Sequence, residues 1–134
     1  MPMFDLVNPP RLAPPQGFSH GLLAQAPGRL LFVAGQTATR ADGPMARRDL
    51  TSQFATALDN VIEVVRTAGG RPDHIAQLTI YVRDIEAYRG ARPALGGIWA
   101  ERMGSHYPAI ALVEVGALVD RDAEVEIQAI AVLP

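Results

Sequence analysis

Apolar residues recur at Leu50, Phe54, Ala57, Leu58, Val61, Val65 and Ala68, the three- and four-residue spacing of an amphipathic helix running from about Arg47 to Ala68. Gly69 and Gly70 stop it, with Pro72 beyond. Toward the end of the chain the period changes to two. From Ala109 to Val115, Ala109, Ala111, Val113 and Val115 fall on one face of a strand and Ile110 and Leu112 on the other. From Val125 to Leu133 the odd-numbered residues share one face, while Glu126, Gln128, Ile130 and Val132 share the opposite one. Both faces of the first strand are largely apolar, and in the second only Glu126 and Gln128 break the pattern, so both faces need cover.

The remaining segments complete the outline. Met3 to Val7 reads as a short edge strand, and the prolines from Pro9 to Pro15 with Gly17 impose an extended surface connection. Leu22 to Gln25 and Leu30 to Ala34 flank Pro27 and Gly28 as a hairpin would, and a loop follows from Gly35 to Pro44. Asp73 to Val82 is dense in β-branched and apolar residues, the mark of a strand. A second helix runs from about Ile85 to Met103, interrupted by Gly90, Pro93, Gly96 and Gly97, with Pro93 as a break or a late start. The order is strands, helix, strand, helix, two strands. It predicts an α/β (α+β) domain over residues 1–134, one mixed sheet of about six strands with two helices packed on one face. Two helices cover one face only. The other, apolar at Leu112, Ile130 and Val132 or at their opposite neighbours, points to burial between subunits.

Composition narrows the chemistry. A chain of 134 residues fits one domain, and its 49% hydrophobic but only 6% aromatic content describes an aliphatic core. The absence of cysteine excludes disulfides, thiol catalysis and cysteine-based metal sites. The net charge is −2 and every basic side chain is arginine, scattered apart from Arg47 and Arg48, so nucleic acid is an unlikely partner. The N-terminus lacks the pattern of a secretory signal and no apolar run reaches membrane-spanning length, which sets cytoplasmic as the expected location. His20, His74 and His106 share no ligand spacing, so no metal is expected. Trp99, Tyr81 and Tyr88 read as core or interface packing.

The stretch YPAIALVEVGALVDRDAEVEIQAIAV (Tyr107 to Val132) resembles the C-terminal signature of the RidA family, also called YjgF, YER057c or L-PSP, with its PAR, V-x-V strand and E-I-x-A-x-A strand. FSHG (Phe18 to Gly21), LLFVAGQ (Leu30 to Gln36), LDNVIEVVRTAGG (Leu58 to Gly70) and LTIYVRDIEAY (Leu78 to Tyr88) are similar to its other segments, in the same order. The resemblance implies a chorismate-mutase-like fold, a homotrimer with small-molecule ligand clefts between subunits, and hydrolysis of an enamine or imine such as 2-aminoacrylate to a 2-keto acid and ammonia. No cofactor is implied.

Such a site needs a cation for the substrate carboxylate and an acid/base or water-orienting group. The resemblance assigns the cation to the arginine of PAR, and Ile110 stands there in this chain. Losing a hydrogen bond to a charged group costs about 1.5–3 kcal/mol. Phe18 likewise stands where the family has a tyrosine. Glu126 matches the family's acid/base residue, although alternation alone makes it a solvent-facing carboxylate. Gly35 and Gln36 match the S-G-Q strand end that lines the cleft, or else form a plain strand-terminating turn. Arg92 is the candidate to replace the missing cation; the competing reading is a solvated arginine beside Pro93. His20 lies near Phe18 and could act in the cleft, although a structural role fits it as well. Three functions follow: a hydrolase with a non-standard substrate, a trimer that binds a metabolite without turnover, and the endoribonuclease or translation inhibitor of older family labels. The charge and the absence of lysine disfavour the last.

Overall fold

The computed structural model describes residues 3–24, 28–41, 45 and 49–134. Its strands are β1 (Phe4–Val7), β2 (Gly21–Ala24), β3 (Arg29–Gln36), β4 (Ile75–Val82), β5 (Ala109–Glu114) and β6 (Val125–Leu133); its helices are α1 (Leu50–Thr67) and α2 (Ile85–Met103).

α1 forms where the apolar stripe predicts. Asp49 caps it, its carboxylate accepting from the Ser52 amide at 3.2 Å, which satisfies one of the orphan donors of the first turn. At the other end Gly69 takes φ 92°, donating to the Arg66 carbonyl while Gly70 donates to that of Val65. This pair of bonds is a Schellman motif, and only glycine enters that left-handed conformation without strain. The expected start at Arg47 lies outside the described residues.

α2 is one continuous helix through all four expected interruptions. Gly90, Pro93, Gly96 and Gly97 are all exposed. Pro93 cannot donate to the Arg89 carbonyl, but both residues lie on the solvated side, where water can serve that acceptor. The inner side holds the helix, with Leu95, Trp99 and Met103 buried. Arg102 joins α2 to α1 by an ion pair with Asp59 at 2.7 Å.

Among the described residues there are six strands, as expected, but they do not all belong to one sheet. β3, β6, β4 and β5 form a four-stranded mixed sheet in that order, with β4 and β5 parallel and the other pairs antiparallel. β1 and β2 form a separate antiparallel ribbon. A parallel bridge from Ser19 to Ala109 ties the chain entering β2 to the start of β5. The expected hairpin between the segments flanking Pro27 and Gly28 is therefore corrected: β2 pairs with β1, and β3 with β6. Sequence proximity favours the hairpin, but the nine-residue β6 offers β3 a longer ladder than the four-residue β2, and cross-strand pairs are what stabilise a sheet. Pro27 itself lies outside the described residues.

The register settles which face is which. Leu78, Ile80, Val82, Val125, Ile127, Ala129 and Ala131 turn to the helices and are buried, together with Val33, Phe54, Leu58, Val61 and Val65 in one cluster. Ile110 pairs with Leu78 and Leu112 with Ile80, so both lie on this helix-covered side. For Leu112 that corrects the expectation of an uncovered face. The opposite face carries Leu30, Phe32, Ile130, Val132, Tyr81, Val113 and Glu126. There Phe32 is 70% exposed and Leu30 62%.

Candidate functional site

The sequence-derived candidates fall into two groups on opposite faces of the sheet. The first surrounds a cavity of about 340 Å³ under α2. Tyr88, Arg92, Leu95 and Trp99 reach it from that helix, at successive spacings of four, three and four residues that make one stripe. Its floor comes from the sheet, through Ile80, Ile110 and Leu112, and from Phe54 of α1. The segment before β2 completes the lining through Gln16, Gly17 and Phe18. Gly17, with φ 76°, supplies the turn that no branched residue adopts easily, and Phe18 follows it into the lining. The segment is anchored where Ser19 donates to the Tyr107 carbonyl at 2.7 Å and accepts no slack on the backbone side, its amide bonding the Pro108 carbonyl at 3.0 Å.

Trp99 and Tyr107 form the aromatic wall. Their rings stack with centroids 5.9 Å apart and planes within 5°, and the Trp99 indole N–H donates to the His106 carbonyl at 3.2 Å. Both rings are thus held in place before any ligand arrives. Arg92 lines the same cavity from its exposed position and, among the described residues, has no ion-pair or hydrogen-bond partner. Its guanidinium is the cation this cavity offers.

The second group lies across the sheet. Glu126 is a cross-strand neighbour of Tyr81, whose hydroxyl bonds the Gln128 side-chain oxygen at 3.0 Å. The register of β3 against β6 shifts between Val33 and Gln36, and in that irregularity Gly35 packs directly on Glu126. A Cβ at Gly35 would stand 2.8 Å from Glu126 Cδ and 3.0 Å from Oε2, so the carboxylate would have to shift. Glycine here makes room for the carboxylate. Gln36 pairs with Ile127 and its side-chain amide donates to the Ala34 carbonyl at 3.1 Å.

The structure therefore brings Phe18, Arg92 and Ile110 together, and separately Gly35 and Glu126; Gln36, in register with Ile127, falls on the helix-covered face and apart from both groups. Within one chain the sheet keeps the two groups apart. The histidines are structural ties. The His20 ring hydrogen-bonds the Ala13 carbonyl at 2.8 Å, His74 Nδ1 accepts from the Arg71 amide at 2.9 Å, and the His106 ring hydrogen-bonds the Ile75 carbonyl at 2.7 Å. Among the described residues no group of potential ligands could hold a metal ion, and no helix is long and apolar enough to cross a membrane. Sequence reasoning missed Tyr88, Leu95, Trp99, Tyr107 and Leu112 as lining. The signal was present in the spacing of positions 88, 92, 95 and 99, hidden by the glycines and proline between them.

Comparison with known proteins agrees with this architecture. The family described as Endoribonuclease L-PSP matches residues 9–133. The chain is 29% identical over 105 residues to the 2-iminobutanoate/2-iminopropanoate deaminase of Escherichia coli K12, covering 78% of this chain and 80% of that one. It is 30% identical to a RutC family protein of Pyrococcus horikoshii, covering 78% and 79%. Among solved structures, a Rid family protein of unknown function from Yersinia pestis superposes with a TM-score of 0.85 at 31% identity, covering 98% of this chain and 99% of that one. The YjgF gene product of Escherichia coli superposes with a TM-score of 0.69 at 26% identity, over 93% and 92%. The chain belongs to the RidA/YjgF family.

Proposed function

We propose that the protein is an enamine or imine hydrolase of the RidA type, working in clefts between the subunits of a homotrimer. The observation that carries this reading is the division of the candidates between the two faces of one sheet. A single protomer holds ligand-lining residues on one side and a carboxylate on the other, and its uncovered face displays Leu30 and Phe32 to solvent. Packing that face against a neighbour buries the apolar residues and carries Gly35 and Glu126 to the neighbour's cavity. Burial of apolar area stabilises the assembly at about 25 cal/mol per Å².

In that cleft the chemistry is imine hydrolysis. Water adds to the carbon of the C=N bond, the nitrogen takes a proton, and collapse of the carbinolamine breaks the C–N bond to leave a ketone and ammonia. Glu126 takes the proton from the attacking water and returns it to the departing nitrogen, a role that contributes typically 10²–10⁴-fold. No cofactor enters the balance. By the family resemblance, Ile110 stands on the cavity floor in place of a guanidinium, and Phe18 in place of a tyrosine hydroxyl. Arg92, at the rim and unpartnered, takes over the anionic group of the substrate.

The test is ammonia release from imines generated in place from amino acids, comparing this chain with Ile110→Arg. The substitution is expected to raise kcat/KM for 2-iminopropanoate roughly tenfold to a hundredfold; an unchanged value refutes the account of the floor. The absence of Arg and Tyr from Ile110 and Phe18 also favours a second reading, a trimer that holds a metabolite without turnover. A bound ligand recovered chemically unchanged, with no ammonia from any imine, would establish it.

A further inference from the structure

The cavity is larger and more aromatic than a four-carbon imino acid requires. An apolar cavity of about 150 Å³ already holds a benzene molecule, and this one has about 340 Å³. Most of its lining is apolar or aromatic. Ile110 and Leu112 form the floor, Phe54 and Leu95 close the sides, and the Trp99–Tyr107 stack provides a flat wall fixed by the bond to the His106 carbonyl. Its polar lining side chains are Gln16, Tyr88 and Tyr107 together with Arg92, the one cation, which is exposed and has no partner among the described residues. A largely apolar cavity with a cation on its exposed side selects a molecule with a broad apolar body and an anion at one end.

Building on the hydrolase reading, we propose that the substrate is a 2-imino acid, or its enamine, with a large aromatic side chain. The ring lies against the Trp99–Tyr107 wall over Ile110 and Leu112, and the carboxylate meets Arg92 in a bidentate pair. Ile110 then has a positive role, since a charged group on the floor would be desolvated by the ring. A methyl or ethyl side chain leaves most of the cavity unfilled and forgoes the aromatic contacts. The reaction is unchanged: the C=N bond is hydrolysed, and the products are an aromatic 2-keto acid and ammonia.

Trp99 is the only tryptophan in the chain, so its fluorescence reports occupancy of the cavity directly, independently of turnover. Titration of the intact protein with 3-phenylpropanoate is expected to give a saturable change, with a Kd at least about tenfold below that of propanoate. Arg92→Gln should weaken 3-phenylpropanoate by at least about tenfold while leaving 3-phenylpropanamide unaffected. Arg92 is exposed, so the variant retains the fold. In the hydrolysis series, kcat/KM should rise from the alanine-derived to the phenylalanine-derived imine. Equal affinity for the two acids, or insensitivity to Arg92→Gln, overturns the proposal. So does faster hydrolysis of the alanine-derived imine, and that result leaves the hydrolase reading standing. Selective, Arg92-dependent binding without ammonia from any imine does the reverse, supporting the ligand class and removing the hydrolase.

Discussion

The two faces of the central sheet are built from the same strands and live in different surroundings. On the helix-covered face Leu78, Val82, Val125 and Ile127 have no solvent exposure, and each sits among side chains supplied by its own chain. On the other face Phe32 and Leu30 are more than half exposed, although their residue types are those of a core. The first face is complete in one protomer. The second leaves Leu30 and Phe32 open to solvent, and it is the face that carries Glu126. If Glu126 is the acid/base group proposed above, substitutions on the two sides of the sheet should read out in different measurements.

The largest separation is expected at Glu126. Glu126→Gln keeps shape and volume but cannot take a proton, and it should lower kcat for imine hydrolysis by about 10²–10⁴-fold with an unchanged melting temperature; a fall in melting temperature of the same rank as a core variant would place Glu126 in the folding machinery. On the covered face, Ile127→Ala should cost about 2–5 kcal/mol in denaturant unfolding. Phe32→Ser on the open face is the matched contrast. It should leave the secondary structure intact while shifting the mass in solution toward the monomer, and an unaltered mass would mean that this face is not where subunits meet. Gly35→Ala joins the two sides of the comparison. Its methyl group displaces Glu126, so hydrolysis should fall roughly tenfold, as expected of a small misplacement of a reacting group, with a minor loss of stability. The smallest effect belongs to the helix cap, where Asp49→Ala should cost about 1 kcal/mol of stability and leave the kinetics alone.

Much of this arrangement was legible in the sequence, and the gaps have physical causes. β6 spans the residues its alternation marks, Val125–Leu133, because a period of two over nine residues admits no helical alternative. The end of α1 was equally plain, since paired glycines after an apolar stripe form a Schellman motif. α2 was obscured by a rule applied without regard to side: glycine and proline weaken a helix interior, yet here all of them sit in water. The β2–β3 hairpin failed because local turn chemistry competes with a longer ladder formed at a distance. For the site, the resemblance supplied Phe18, Gly35, Gln36, Ile110 and Glu126, and Arg92 was added as a candidate cation. Their distribution between two faces could not be read. In strands apolar on both sides, alternation separates odd from even residues but does not say which set meets the helices.

Tyr88, Arg92, Leu95 and Trp99 share one stripe of a single helix, and this gives the protein an economical route to new ligands. Four walls of the cavity can be redrawn by substitutions within twelve consecutive residues, none of which lies in a strand or touches the carboxylate across the sheet. A library confined to that stripe therefore explores what the cavity accepts while leaving Glu126 and the sheet ladders as they are. Because the outer side of the same helix already tolerates three glycines and a proline, its backbone depends on the inward contacts that such a library would vary. Volume-conserving exchanges at Leu95 and Trp99 are the ones most compatible with keeping it folded.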